Sequence, residues 1–110
     1  MNQRLNCYCL LVDVAKAMPD LINHIPRGES YLIDQLKRAL ASSILNLAEG
    51  NGRYSSKERN RFFDFSLGSI KEVMAVIDII VSYRYINLAS IQFLLDNLRK
   101  SFNMIRKLKK

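Results

Sequence analysis

Apolar residues recur at alternating steps of three and four in four separate segments of the chain, and no other feature constrains the fold as strongly. Such spacing places apolar side chains along one face of an α-helix. It predicts helices over about residues 4–24, 30–50, 55–83 and 88–108. Only four Gly and two Pro occur in 110 residues, which favours few, long elements over a β fold. We therefore expect one all-α domain over residues 1–110, an antiparallel up-down-up-down four-helix bundle joined by short connectors.

Local residues predict where these helices end and begin. Pro19 falls inside the first segment, where it should kink the helix or break off its last turn. Gly50 and Gly52 predict the end of the second helix. Ser55 opens a capping-box sequence that predicts the start of the third helix. Asn87 is the predicted N-cap of the fourth helix.

The third segment carries two apolar stripes instead of one. The first stripe contains Phe63, Leu67, Ile70, Met74, Ile77 and Val81, and the second contains Phe62, Ser69, Val73, Val76 and Ile80. One stripe packs a helix into its own core, so a second stripe predicts burial on another side and hence a subunit interface.

The sequence contains no recognisable catalytic, metal or cofactor motif. His24 is the sole histidine and is expected at a helix end. Cys7 and Cys9 are two residues apart on a helix, so they are expected as unbridged thiols of a reducing compartment. No apolar run approaches the roughly 20 residues that span a bilayer. We expect a cytoplasmic, non-enzymatic protein that needs no metal or cofactor and does not insert into a membrane.

Several polar residues lie on faces of the second and third helices that are otherwise small or apolar. Bundle carboxylates can hold a di-iron centre, but that requires Glu-x-x-His pairs, which are missing from this chain. We expect instead a buried polar network that fixes the register of the helices. Its predicted members are Arg38, Asn46, Glu49, Ser69 and Glu72.

The formal net charge of +7, from 17 Lys and Arg against 10 Asp and Glu, favours an anionic partner, although charge of this size also serves solubility. One basic cluster lies at the predicted start of the third helix. Cations there oppose the helix dipole, so their placement indicates a function. An aromatic side chain among them can stack on a base. The candidate nucleic-acid contacts in this cluster are Arg53, Tyr54, Lys57, Arg59 and Arg61.

A second basic cluster occupies the last twelve residues, 99–110, which contain no acidic residue. Its candidate contacts are Arg99, Lys100, Arg106, Lys107, Lys109 and Lys110. Cations also complement the C-terminal end of a helix, so the cluster is equally consistent with helix stabilisation alone.

Two motifs resemble those of the 23S rRNA intervening-sequence proteins. The first combines Gln-x-x-Arg-Ala with a Ser-Ile pair shortly before Asn-Ile-Ala-Glu-Gly-x-x-Arg, and the second is Phe followed by Gly-Ser-x-x-Glu. The matching residues are Gln35, Arg38, Ala39, Ser43, Ile44, Asn46, Ala48, Glu49, Gly50, Arg53, Gly68, Ser69 and Glu72, and Leu47 replaces the usual Ile. The resemblance covers most of the second and third helices.

This resemblance implies a four-helix bundle that assembles as a homopentamer. A related branch, the accessory variability determinant of diversity-generating retroelements, is a basic pentamer that binds a reverse transcriptase and nucleic acid. The leading prediction is therefore an oligomeric protein that binds RNA or DNA through phosphate contacts. The alternative is a scaffold that docks a partner protein such as a reverse transcriptase.

Overall fold

The computed structural model describes residues 5–110 and confirms the all-α class. Its four helices are α1 (Asn6–Ile22), α2 (Ser30–Asn51), α3 (Ser56–Ser82) and α4 (Gln92–Leu108). The molecule is elongated along the helices, with extents of 43 × 23 × 22 Å. Within the described range, no helix is both long enough and apolar enough to cross a membrane. The predicted start of the first helix at Arg4 lies outside the described residues.

Each helix packs against two others, so that the four surround one apolar core. The pairs in contact are α1 with α2, α2 with α3, α3 with α4, and α4 with α1. The α2–α3 pair is the most extensive. Ser42 of α2 contacts Ser69 of α3, and Ser43 contacts Ser66, so residue numbers rise along α2 as they fall along α3. These two helices therefore run antiparallel along their contact.

The predicted start of the third helix and end of the first helix agree with the structure, whereas the predicted start of the fourth helix and the predicted role of Gly50 do not. Ser55 caps α3, because its Oγ accepts a hydrogen bond from the Glu58 backbone N–H at 3.1 Å. Pro19 lies inside α1, which ends close to the predicted place, at Ile22. Asn87 caps a short 3₁₀ turn, Leu88–Ile91, and α4 begins only at Gln92. The prediction that the fourth helix starts near residue 88 is thus about one turn early, since the chain first makes this tighter turn.

Gly50 does not end α2 as predicted; it lies within the helix, which ends at Asn51 with Gly52 as C-cap. Gly50 is buried where the end of α2 packs against the start of α3. A Cβ built there would lie 2.8 Å from two carbons of the Phe63 ring and 3.1 Å from Cβ of Phe62. Glycine at this position therefore permits close packing of the two helices.

The second stripe of α3 is not spare surface. Val73, Val76 and Ile80 are buried in the chain's own core. These three residues therefore give no support for a subunit interface, because α3 packs against both α2 and α4 and so buries a wide arc. The large apolar side chains that α3 does expose are Phe65 and Ile79.

Candidate nucleic-acid interface

The fold brings the two basic segments to the same end of the bundle. Asn60, in the second turn of α3, donates from Nδ2 to the carbonyl of Lys110 at 2.7 Å, and the Lys110 N–H donates to Asn60 Oδ1 at 3.2 Å. Lys109 forms an ion pair with Asp64 one turn further along α3. These contacts hold residues 109 and 110 against α3, although the sequence separates them from it by about 50 positions. We call this region the basic end.

Cations outnumber carboxylates at the basic end by eight to three. The cations are Arg53, Lys57, Arg59, Arg61, Arg106, Lys107, Lys109 and Lys110, and the carboxylates are Glu49, Glu58 and Asp64. An excess of this size within one region attracts a polyanion over roughly a Debye length, about 8–10 Å at physiological salt.

Three arginines of the basic end lie over phenylalanine rings, and Arg53 and Arg61 share one of these rings. The Arg53 guanidinium lies 4.9 Å from the Phe62 ring centre and donates to Glu49 Oε2 at 2.8 Å. The Arg61 guanidinium lies 5.9 Å from the Phe62 ring centre and 5.5 Å from that of Phe65. Ring contacts of this kind restrict a guanidinium without neutralising its charge. Arg61 has no carboxylate partner within residues 5–110, so its charge is available to a ligand.

Arg59 has a structural role that its sequence position does not indicate. Its Nη1 donates to the carbonyl oxygens of Asn51 and Arg53, both at 3.1 Å, and its guanidinium lies 5.4 Å from the Phe63 ring centre. The side chain thereby satisfies carbonyl groups where α2 ends and the connector to α3 begins. Of the five predicted contacts in this cluster, Arg59 is the one most engaged by the fold itself.

The remaining candidate contacts differ in their exposure, in their ion pairs and in their distance from the basic end. Tyr54 is completely exposed at the tip of the α2–α3 connector. Lys57 is exposed as well, and no ion pair in the described part of the chain involves it. Arg99 pairs with Asp96 at 3.6 Å, and together with Lys100 it lies about two turns before the end of α4. The structure therefore does not bring residues 99 and 100 to the basic end.

The arrangement of helices and the motifs of α2 and α3 agree with a known family. The family model of the 23S rRNA-intervening sequence protein matches residues 3–107. The chain belongs to this family. The match takes in α1, α2 and α3 and all but the last residue of α4. No protein with a curated description matches the chain.

In this 23S rRNA-intervening sequence protein, the five predicted members of the polar network do not meet in one buried cluster. Asn46 Nδ2 donates to the carbonyl and to Oγ of Ser42, at 2.9 and 3.0 Å, and Ser42 Oγ lies 2.8 Å from Ser69 Oγ. Glu49 pairs with an arginine of the basic end instead. Arg38 and Glu72 are exposed. The single chain thus links only Asn46 and Ser69, through a serine that was not predicted.

A fully buried serine contact between α2 and α3 also escaped prediction. Ser66 Oγ donates to the carbonyl of Ser43 at 2.7 Å, and both residues are completely buried. Ser43 Oγ in turn donates to the Leu40 carbonyl at 2.6 Å. Small hydroxyl side chains let the helices approach while their polar atoms stay paired, so these serines fix the helix register.

The single histidine and the two cysteines lie in α1 and in the turn that follows it. His24 Nδ1 lies 2.9 Å from the Asp20 carbonyl oxygen, one turn back along the chain. Burial raises the pKa of the Cys7 thiol, so this group is protonated at neutral pH. Within residues 5–110, no three His, Cys, Asp or Glu side chains come together as a metal-binding group.

Proposed function

We propose that this family member is a non-enzymatic, cytoplasmic protein that binds RNA or DNA through its basic end. The observation that carries the proposal is the Asn60–Lys110 contact, which joins two basic segments into one cationic surface. Exposed Lys57 and Arg61 would contact phosphates, and the α4 cations would extend the same surface. Contacts of this kind give binding that depends steeply on salt and weakly on base sequence.

A fluorescence anisotropy titration of a labelled RNA oligonucleotide at several salt concentrations tests this proposal. The double variant Lys57→Ala/Arg61→Ala removes two exposed cations from the basic end. The control Arg27→Ala/Lys37→Ala removes two exposed cations elsewhere. Each lost phosphate contact lowers the slope of log affinity against log salt by about 0.7–0.9, so the first variant should lose about 1.5 in slope and the control nearly nothing.

Absence of binding at low salt would refute the proposed function outright. Equal salt slopes for the two double variants would show that the positive charge of the whole protein binds the RNA without a special part for the basic end. That result would contradict the assignment of the site to the basic end.

We also propose that the chain is an up-down-up-down bundle that assembles with itself, as a pentamer by resemblance to the family. The outer face of α2 and α3 supports self-association. Gly68 lies exposed in the middle of α3, and a Cβ built on it would meet no atom within 4 Å. Such a glycine costs about 1 kcal/mol relative to alanine in an isolated helix, so the chain alone gives no reason for it. Exposed Arg38 and Glu72 lie at nearly the same level as the Ser42–Ser69 contact and can pair with a neighbouring copy.

Light scattering during size-exclusion chromatography tests self-association. The wild-type protein should elute as an oligomer, and Gly68→Ala should weaken assembly because a methyl group blocks close approach of a neighbour. Gly28→Ala, which also meets no atom within 4 Å, is the matched control. A monomeric wild-type protein would refute self-association, and unchanged assembly of Gly68→Ala would remove Gly68 from the interface.

A partner protein such as a reverse transcriptase is the second candidate. Tyr31, Tyr83 and Tyr85 lie together at the end of the bundle remote from the basic end, and they favour this candidate because tyrosine is enriched in protein interfaces. A reverse transcriptase gene beside the gene for this protein, and co-elution of the two products, would support it. Location inside a 23S rRNA gene would instead favour the first function.

A further inference from the structure

The end of the bundle opposite the basic end collects three tyrosines and one carboxylate. Tyr31 lies in the first turn of α2, Tyr83 is the C-cap of α3, and Tyr85 follows in the connector to α4. The rings of Tyr83 and Tyr85 are nearly perpendicular, at 86°, with centres 5.8 Å apart. Partial desolvation, together with the nearby Glu29 carboxylate and Tyr83, raises the pKa of both Tyr31 and Tyr85. We call this region the tyrosine end.

An unusual backbone turn brings Tyr83 and Tyr85 together. The Tyr85 N–H donates to the Ile80 carbonyl at 3.2 Å across Arg84, which has a φ of 64°. This is the hydrogen bond of a Schellman ending, in which glycine normally takes the left-handed position. Arginine occupies it here at a conformational cost, because a Cβ disfavours this region. The turn folds the chain back so that the two tyrosine rings meet.

Among residues 5–110, cations lie over ring faces of the basic end but not over those of the tyrosine end. Three phenylalanine rings near the start of α3 each have a guanidinium over them. In the described part of the chain, no Lys or Arg lies over Tyr31, Tyr83 or Tyr85. Tyr31 is 56% exposed and Tyr83 is 52% exposed, so both are accessible.

The charge of this end is also reversed relative to the rest of a strongly basic chain. Five carboxylates lie in the connectors at this end or within about one turn of the helix ends there, against two cations. The carboxylates are Asp20, Glu29, Asp34, Asp78 and Asp96, and the cations are Arg27 and Arg84. Electron-rich ring faces beside a carboxylate attract a positively charged group.

We propose that the tyrosine end binds an arginine or lysine side chain on a segment of a partner protein. The cation packs against the faces of Tyr31 and Tyr83, and the Glu29 carboxylate neutralises its charge. Exposed Leu88 on the 3₁₀ turn lines a cleft together with Tyr85 and extends the site with apolar surface. Aromatic residues paired with arginine inside an apolar surround are typical of the centres of protein interfaces, which favours a protein over a small ammonium ion.

Nuclear magnetic resonance titration with a short glycine–arginine peptide tests this inference, with a glycine–glutamate peptide as the charge control. The arginine peptide should shift the ring resonances of Tyr31, Tyr83 and Tyr85 in a saturable way, and the glutamate peptide should not. Tyr83→Leu should weaken binding by roughly two- to fivefold, the equivalent of about 0.5–1 kcal/mol. Tyr83→Phe keeps the ring and should keep the affinity, and Tyr54→Leu, at the basic end, should change nothing.

Four outcomes would overturn the inference. Three of them are equal shifts with both peptides, shifts confined to carboxylates of the basic end, and unchanged affinity in Tyr83→Leu. Ring shifts that depend on protein concentration alone, without an effect of peptide, would assign this surface to contact between copies and also overturn it. None of these outcomes affects the nucleic-acid proposal, because the two ends are tested with different ligands.

Discussion

Replacing Gly50 with alanine tests how closely α2 and α3 pack against each other. The new methyl carbon would lie 2.8 Å from two atoms of the Phe63 ring, and the ring itself is completely buried. Phe63 has little room to move, because it packs in the core and lies beneath the Arg59 guanidinium. Either α2 and α3 separate or the ring leaves its preferred position.

The magnitude follows from two opposing terms. Overpacking a buried site by one methyl group typically costs about 1–3 kcal/mol. Alanine recovers up to about 1 kcal/mol of helix propensity relative to glycine. The net loss expected for Gly50→Ala is therefore about 1–2 kcal/mol, equivalent to a fall of about 4–8 °C in Tm for a chain of this size. The same substitution should weaken the hydrogen bonds from Arg59 to the carbonyl groups of the α2–α3 connector.

Urea unfolding followed by circular dichroism measures this loss at fixed protein concentration. Gly28→Ala is the matched control, since a Cβ at Gly28 meets no atom within 4 Å and the residue does not have a positive φ. Its stability should change by no more than about 0.5 kcal/mol. A Gly50→Ala protein as stable as the wild type would show that α2 and α3 do not approach as closely as described.

Three further predictions concern single side chains. Asn97 is buried, and its Nδ2 has no hydrogen-bond partner in the described part of the chain. Asn97→Leu should therefore leave the free energy of unfolding in urea unchanged or raise it by about 1–2 kcal/mol. A loss above about 1 kcal/mol would mean that the amide has a partner. Ser55→Ala should cost about 1 kcal/mol of unfolding free energy through loss of the α3 N-cap, whereas Ser56→Ala should cost little. Iodoacetamide should modify Cys9 before Cys7, because Cys7 is only 2% exposed and its pKa is raised; equal rates by mass spectrometry would contradict this. The raised pKa also means that the stability from the protonated Cys7 thiol is complete below its ordinary pKa of 9.0 and declines above it.

Local rules were sufficient where a helix depends on its own sequence. The spacing of apolar residues located all four helices. Ser55 is followed three residues later by Glu58, which predicts an N-cap, and Ser55 does cap α3. The family motifs were also visible in the sequence, since they lie at fixed spacings within α2 and α3, and the match to residues 3–107 confirms that identification.

Local rules failed where the role of a residue depends on a second helix. Gly50 looked like a helix stop, but Phe63 of α3 determines its role. The second stripe of α3 looked like spare surface, but α4 and α2 together cover it. The structural role of Arg59 was also not visible in the sequence, because the carbonyl oxygens that it binds belong to the end of α2 and to the connector. Spacing along one helix reports which residues share a face and not which neighbour covers that face.

The sequence by itself determined that this protein consists of four amphipathic helices, carries a strong positive charge and belongs to the 23S rRNA-intervening sequence family, because periodicity, composition and motif spacing are local properties. Only the tertiary structure decided that residues 53–61 and 106–110 form one basic end, while Arg99 and Lys100 lie apart from it. It also decided that Tyr31, Tyr83 and Tyr85 gather at the opposite end. The physical reason is that helix packing juxtaposes side chains far apart in sequence, and binding surfaces are made by such juxtapositions.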